Sequence, residues 1–367
     1  MLKRAIMIIF TVIFSVAMMG GCAAKQETTS TADKTSQTEN TKKDSERLIT
    51  DAFGHNIKLP EKVDKVSTTG ALNQIVLLLG GGEKIVATQD SLKNSFFATV
   101  YPRIKEVTSA YSGAGSGTIN VETVLAQKPQ VVFSSIDENK REQIESAGVA
   151  MVGVKLVTTD DMKNTVKLVG QVLGDGAEKK AEEFVKYYTD NMNYVQERTK
   201  SANKVKVFVA SGNGSKGSIS TIPDKDINTE YINAAGGMNI VSKYISTGPT
   251  SGTVSEDFEF LMKEQPDVII ANTKDAYDYI MDKSNGSQWQ DVSAVKNNKV
   301  YLNPKGTYLW SVRSAEGALQ PLWLGKILHP DLFEDLDMKQ KVKEFYKTYY
   351  NYDLSEKEIN DIMNPKS

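Results

Sequence analysis

One pattern occurs twice in this chain, and any fold must accommodate both copies. Glu122-Thr-Val-Leu-Ala-Gln-Lys-Pro129-Gln-Val-Val-Phe133 lines up with Glu259-Phe-Leu-Met-Lys-Glu-Gln-Pro266-Asp-Val-Ile-Ile270. Each copy reads as a short helix, a proline stop and a buried strand. Proline suits that turn because it fixes φ and cannot extend the helix. A weaker pair, Gly81-Gly-Glu-Lys-Ile-Val86 and Gly236-Gly-Met-Asn-Ile-Val241, keeps the same order. Between the copies lies the longest helical pattern, from about Gly176 to Ser201. Ala181, Phe184, Val185, Tyr188, Met192 and Val195 form its apolar stripe at spacings of three and four. At about 1.5 Å per residue such a helix spans roughly 38 Å, more than one lobe needs. Apolar runs of strand length (Val131–Phe133, Val149–Val154, Val205–Ala210, Val268–Ala271) alternate with helical patterns, which implies parallel sheets flanked by helices. The expected fold is α/β, with two similar lobes joined by one long rigid helix. The N-terminal lobe is expected at 48–175, the joining helix at 176–201 and the C-terminal lobe at 202–367.

The N-terminus reads as an export signal. Lys3 and Arg4 precede an apolar run from Ala5 to Met19, and Gly20-Gly21 leads into Cys22, the single cysteine of the chain. About 15 apolar residues are short for a membrane span, which needs roughly 20. A charged start, a short apolar core and small residues before a cut site describe a secretory signal peptide over 1–21. Small residues let the peptidase approach, and the thiol that follows accepts a diacylglycerol. Cys22 is therefore the expected lipidation site. Residues 22–47 are almost wholly polar and cannot offset their ordering entropy by burial, so they are expected to act as a flexible leash. The protein is expected outside the cytoplasm, anchored to the cell membrane by lipid.

Several classes are disfavoured. Lys and Arg total 44 against 46 Asp and Glu, a formal charge of −2, and no basic stripe suited to nucleic acid stands out. There is no Gly-x-Ser-x-Gly, no His-Glu-x-x-His and no P-loop Lys-Ser/Thr pattern, so neither an enzyme nor a nucleotide-binding protein is expected. The two histidines, His55 and His329, are too few for a receptor of bare zinc, manganese or ferrous ions, which needs three or four His and carboxylate ligands. Any metal is expected to arrive already chelated. No resident cofactor and no metal site of the protein's own are expected.

The residues resemble a known family. Ile49-Thr-Asp-Ala-Phe-Gly54 with Ile57-Lys-Leu-Pro60, then Asn120 to Pro129, then Tyr308-Leu-Trp-Ser-Val-Arg-Ser-Ala-Glu316 with Leu322 to Pro330, resemble the opening, internal and closing segments of the substrate-binding proteins of iron-siderophore, haem and cobalamin ABC importers. The resemblance covers the mature chain and implies a two-lobed receptor, expected to be a monomer. It would capture a small metal chelate in the interlobe cleft and deliver it to a permease and its ATPase. A molybdate or tungstate receptor of the same fold, or a ligand-sensing lipoprotein without transport, remains as an alternative. The resemblance also implies that Glu122 and Glu259, each seven residues before its proline, are the permease-docking carboxylates, with Glu256 competing for the second role. A carboxylate in the first turn of a helix is independently favoured by the helix dipole.

Ligands of α/β sheets sit beyond the carboxyl ends of the strands. That directs attention to the loops 68–73, 89–97, 111–117, 211–217 and 308–313. Trp310 is a candidate apolar wall, or else core. Arg313 is a candidate for anionic oxygens, or else an ion pair, for example with Glu316. Tyr308, Tyr111 and Thr69 complete the expected ligand set. A single cleft arginine argues against a highly anionic catecholate. The aromatic-rich segment Asp331–Ile362 is expected to form one or two helices packed on the C-terminal lobe, with no ligand role.

Overall fold

A computed structural model describes residues 46–112, 118–135, 138–213, 218–244, 258–284 and 288–365. Cys22, the leash up to residue 45, Glu256 and most of the two glycine-rich loops lie outside these residues, and Arg47, expected as the last leash residue, instead opens the first strand.

The chain opens with an antiparallel hairpin, β1 (Arg47–Thr50) and β2 (Asn56–Leu59). The first lobe holds β3 (Val66–Ser67), β4 (Ile85–Gln89), β5 (Thr108–Ser112), β6 (Thr118–Ile119), β7 (Val131–Ser134) and β8 (Ala150–Gly153). They lie in the order β6-β5-β4-β3-β7-β8, parallel except for the β5–β6 pair. The second lobe holds β9 (Val205–Asn213), β10 (Ser218–Ser220), β11 (Gly237–Asn239), β12 (Val268–Ala271) and β13 (Val300–Leu302). There β9 pairs in parallel with β11 and β12, β12 pairs in parallel with β13, and β10 is antiparallel to β9. The parallel order β4-β3-β7-β8 is thus matched by β11-β9-β12-β13.

The internal repeat persists in the backbone. Helices Val121–Ala126 and Phe258–Glu264 each run into a left-handed residue and then the proline, Lys128 at φ 53° and Gln265 at φ 46°. A left-handed residue closes a helix sharply, and the following proline cannot resume it. The strands β7 and β12 follow, as expected. The glycine pair diverges more: Gly82–Lys84 is a 3₁₀ turn ahead of β4, whereas Gly237 opens β11 itself.

Strand alternation sorts the cores. Val131 and Phe133 of β7, with Val207 and Val209 of β9, face one large core. Val132 and Phe208 face two smaller cores on the outer sides of their sheets. The large core runs continuously through both lobes. The helix Ala177–Thr199 is embedded in it, burying Ala181, Phe184, Tyr188 and Val195. Burying one such aromatic side chain contributes about 2–3 kcal/mol.

The C-terminal segment corrects one expectation. It forms helices Met338–Tyr350 and Glu356–Met363, but does not pack on the second lobe alone. Tyr346 lies 6.1 Å, ring to ring, from Phe96 of the first lobe. Tyr349 lies 5.2 Å from Phe184 of the long helix. Among the described residues no helix is long and apolar enough to cross a membrane.

Candidate functional site

The carboxyl ends of both sheets open onto one cavity of about 1640 Å³. Thr69 and Gly70 follow β3, Gln89 ends β4, Ser135 follows β7 and Lys155 follows β8. On the other side, Asn272 and Lys274 follow β12, and Asn303 follows β13; all of these line the cavity. Gln89 ties two of the loops together. Its Oε1 accepts the Thr69 hydroxyl and the Gly70 N–H, each at 2.8 Å, and its Nε2 donates to Ser91 at 3.0 Å.

Three of the expected ligand residues, Thr69, Tyr308 and Arg313, meet at this cavity. Arg313 is half-exposed, and its Nη2 lies 3.6 Å from Asp226 rather than pairing with Glu316. Burial raises the Tyr308 phenol above its ordinary range, with the Arg313 charge pulling the other way.

Two expectations are corrected. Trp310 is fully buried and forms no cleft wall, because its indole N–H donates to Glu316 Oε2 at 2.8 Å beneath the loop. Tyr111 points into the outer core of the first lobe and bonds Ser67 at 2.6 Å. On β5 its side chain stands on the sheet face away from the cleft.

The sequence reading missed the cations. Among the described residues Lys155, Lys274 and Lys305 line the cavity with Arg313, against one lining carboxylate, Asp275. Lys274 is paired with Asp278 at 2.5 Å. Lys155 lies over the Phe53 ring, 4.6 Å from its centroid. The usable signal was position: Lys155 and Lys274 lie within three residues of the ends of apolar strands, where parallel sheets place their ligands. Phe53 was hidden in the opening hairpin, read only as scaffold.

Beneath the 307–313 loop lies a buried polar cluster. Glu316 Oε1 accepts the Thr307 N–H at 3.0 Å and the Tyr346 hydroxyl at 2.9 Å. Gln74 of the first lobe donates to the Thr307 hydroxyl and accepts the Ala315 N–H at 3.2 Å. Burial pushes the Glu316 carboxyl up to about 7, although the bonds from Thr307, Tyr346 and Trp310 favour the charged form.

Elsewhere, His55 Nδ1 lies 3.1 Å from Asp51, and His329 Nε2 lies 3.3 Å from the Gly236 carbonyl. Among the described residues no group of three or more His, Cys, Asp or Glu converges on a metal site. Glu122 and Glu259 are both exposed, each in the first turn of its outer helix.

Two lobes with matched strand order, meeting over one cavity at their strand ends, define the architecture of a two-lobed ligand-binding protein. The chain belongs to the periplasmic binding protein family (Peripla_BP_2), which matches residues 66–307. It resembles the molybdate-binding protein MolA of Haemophilus influenzae, at 24% identity over 83% of this chain and 91% of that protein. It is 25% identical to the uncharacterized ABC transporter substrate-binding lipoprotein YvrC of Bacillus subtilis, over 78% of this chain and 87% of the other. A periplasmic solute binding protein from Veillonella parvula superposes with a TM-score of 0.75 at 27% identity, covering 87% and 97% of the two chains.

Proposed function

We propose that this chain, as the substrate-binding protein of an ABC transporter, captures an anionic metal chelate in the interlobe cavity and delivers it to the permease. An iron(III)-siderophore is the leading ligand, with haem or a corrinoid as related cargo. The reading is carried by one observation: a cavity of about 1640 Å³ bordered by Lys155 on one lobe and Lys274, Lys305 and Arg313 on the other. Pockets that take drug-sized ligands measure roughly 300–1000 Å³, so a cavity larger than these suits a bulky chelate better than a four-oxygen anion. The lysines also remove the objection that a single arginine raised against a highly charged chelate.

The protein binds without chemistry of its own. Cys22 carries the lipid anchor, residues 1–21 are the export signal, and the receptor works as a monomer. Glu122 and Glu259 meet cationic partners on the permease. Similarity to the molybdate-binding relative favours a second reading, an oxyanion receptor.

Calorimetric titration of the purified chain separates the two. The probes are a ferric trihydroxamate, a ferric tris-catecholate, haem, cobalamin and molybdate. Saturable binding of one chelate, weakened at least tenfold in Arg313→Ala, is the expected result. A response to molybdate alone overturns the chelate reading and keeps the family. Calorimetry is preferred to tryptophan quenching because Trp289, Trp310 and Trp323 are all buried.

A further inference from the structure

The opening hairpin carries part of the ligand site. Asp51 fastens its turn onto the end of β8. The carboxylate accepts N–H groups from Phe53 and His55 at 2.9 Å, from Gly153 at 3.0 Å, and from Arg141 Nη2 at 2.8 Å. Phe53 is thereby laid against Gly153, where a Cβ would come within 2.6 Å of the ring. Two residues on, the Lys155 ammonium lies 4.6 Å from the ring centroid. Among the described residues no carboxylate forms an ion pair with it. Phe53, Lys155, Leu156 and Val157 all line the cavity, and Val157 is 46% exposed.

An exposed ammonium over a ring face is weakly held, whereas an ammonium on an anionic oxygen gains a charge-assisted hydrogen bond. The ring and its apolar neighbours at the same time offer a flat surface to a second ring. We propose that Phe53 and Lys155 form a subsite for an aryl anion, an aromatic ring bearing an acidic oxygen. The ammonium leaves the Phe53 face for that oxygen, and the ligand's ring takes the vacated face. The inference rests on the proposed role of the cavity as the ligand site and gives ligands with aryl arms an added contact there. Asp51 and Arg141 act as positioning residues.

The probes are salicylate and, as its non-aromatic counterpart, acetohydroxamate, followed on the full chain by ligand-observed NMR. A ferric tris-catecholate and a ferric trihydroxamate are titrated alongside by calorimetry. Salicylate is expected to bind and to weaken at least tenfold in Phe53→Leu and in Lys155→Gln, while Phe53→Tyr restores binding. In Phe53→Leu, trihydroxamate affinity is expected to change less than twofold. Lys155→Gln is also expected to flatten the salt dependence of salicylate binding, which a purely structural lysine would not do. Failure of salicylate to bind, or equal losses for aryl and non-aryl probes, overturns the subsite. Chelates bound with Arg313 dependence but no Phe53 dependence leave the proposed function standing and the subsite fallen. Phe53-dependent salicylate binding with no chelate bound supports the subsite and removes the chelate reading.

Discussion

Trp310 and Glu316 are joined at 2.8 Å, indole N–H to carboxylate oxygen, with neither side chain reaching solvent. The bond anchors the loop bearing Tyr308 and Arg313 from below. Through Thr307 and Gln74 the same cluster reaches the first lobe. The cleft floor is therefore held by polar bonds in the core, and its side chains are set before a ligand arrives.

Burial raises the Glu316 carboxyl from 4.5 in a model peptide to about 7. A group raised on folding contributes stability that is fully present below its unfolded value and lost as pH climbs through the folded one. Stability is expected to fall between about pH 4.5 and 7, by on the order of 3 kcal/mol. Urea melts across this range should show the loss in the wild type and a flatter profile in Glu316→Gln.

Asp51 has the opposite sign. Burial pushes its carboxyl up, but is outweighed by hydrogen bonds to the N–H groups of His55 and Phe53, the His55 ring and the Gly153 N–H, which leave it near 2. Its contribution, about 2 kcal/mol, is present above pH 3.8 and lost as pH falls toward 2. Asp51→Asn should cost about 2–4 kcal/mol at neutral pH, because it breaks a buried pair with Arg141. Denaturant melts at pH 7 and pH 3 measure both effects, and the difference between variant and wild type should shrink at the lower pH.

Gly306 sits against the Glu316 cluster, where a Cβ would strike the Tyr346 hydroxyl and the Glu316 carboxylate. Gly306→Ala should destabilise the protein by about 3 kcal/mol and weaken ligand binding, since the loop above it must move. Thermal melts paired with calorimetry test this. Wild-type stability in the variant would show that the cluster tolerates displacement.

Lys128 and Gln265 hold the left-handed conformation that most side chains avoid. Lys128→Gly should be neutral or stabilising, by up to about 1 kcal/mol, against the usual cost of adding glycine, whereas in Gln265→Gly that gain is offset by loss of the Ser293 N–H and hydroxyl bonds that the Gln265 side-chain oxygen accepts at 2.8 and 2.7 Å. A loss of stability in Lys128→Gly, measured by urea denaturation, would mean that its side chain outweighs the backbone strain.

Reversal of Glu122 and Glu259 to Lys should abolish uptake in cells and leave ligand affinity within about twofold. The carboxylates are exposed on the outer helices. Lost ligand binding in the purified double variant would place them in the cleft and remove the docking role.

Much of the fold was legible because its signals are local. Period-two and period-3.6 patterns mark strands and the long helix, and the Glu-to-Pro segments mark equivalent places in two lobes. The site was less legible. Trp310 and Tyr111 carry the right chemistry, but whether a side chain faces a cleft or a core depends on the sheet face and on a partner such as Glu316 or Ser67, both distant from the local pattern. The C-terminal helix shows the same limit. Its aromatic spacing predicts burial without saying which of several apolar surfaces receives it, and Phe96 of the first lobe shares it with Phe184. Lys155 and Lys305 look like ordinary surface lysines until strand ends from both lobes are brought together.

The continuous core has a genetic consequence. The strand order records two equivalent halves, yet their inward faces now share one apolar interior with the helix between them. A gene divided near codon 176 would encode two polypeptides, each left with a greasy flank that only the other half covers. Such halves should be insoluble when made singly and recover when made together, so the likeness of the two halves comes with mutual dependence.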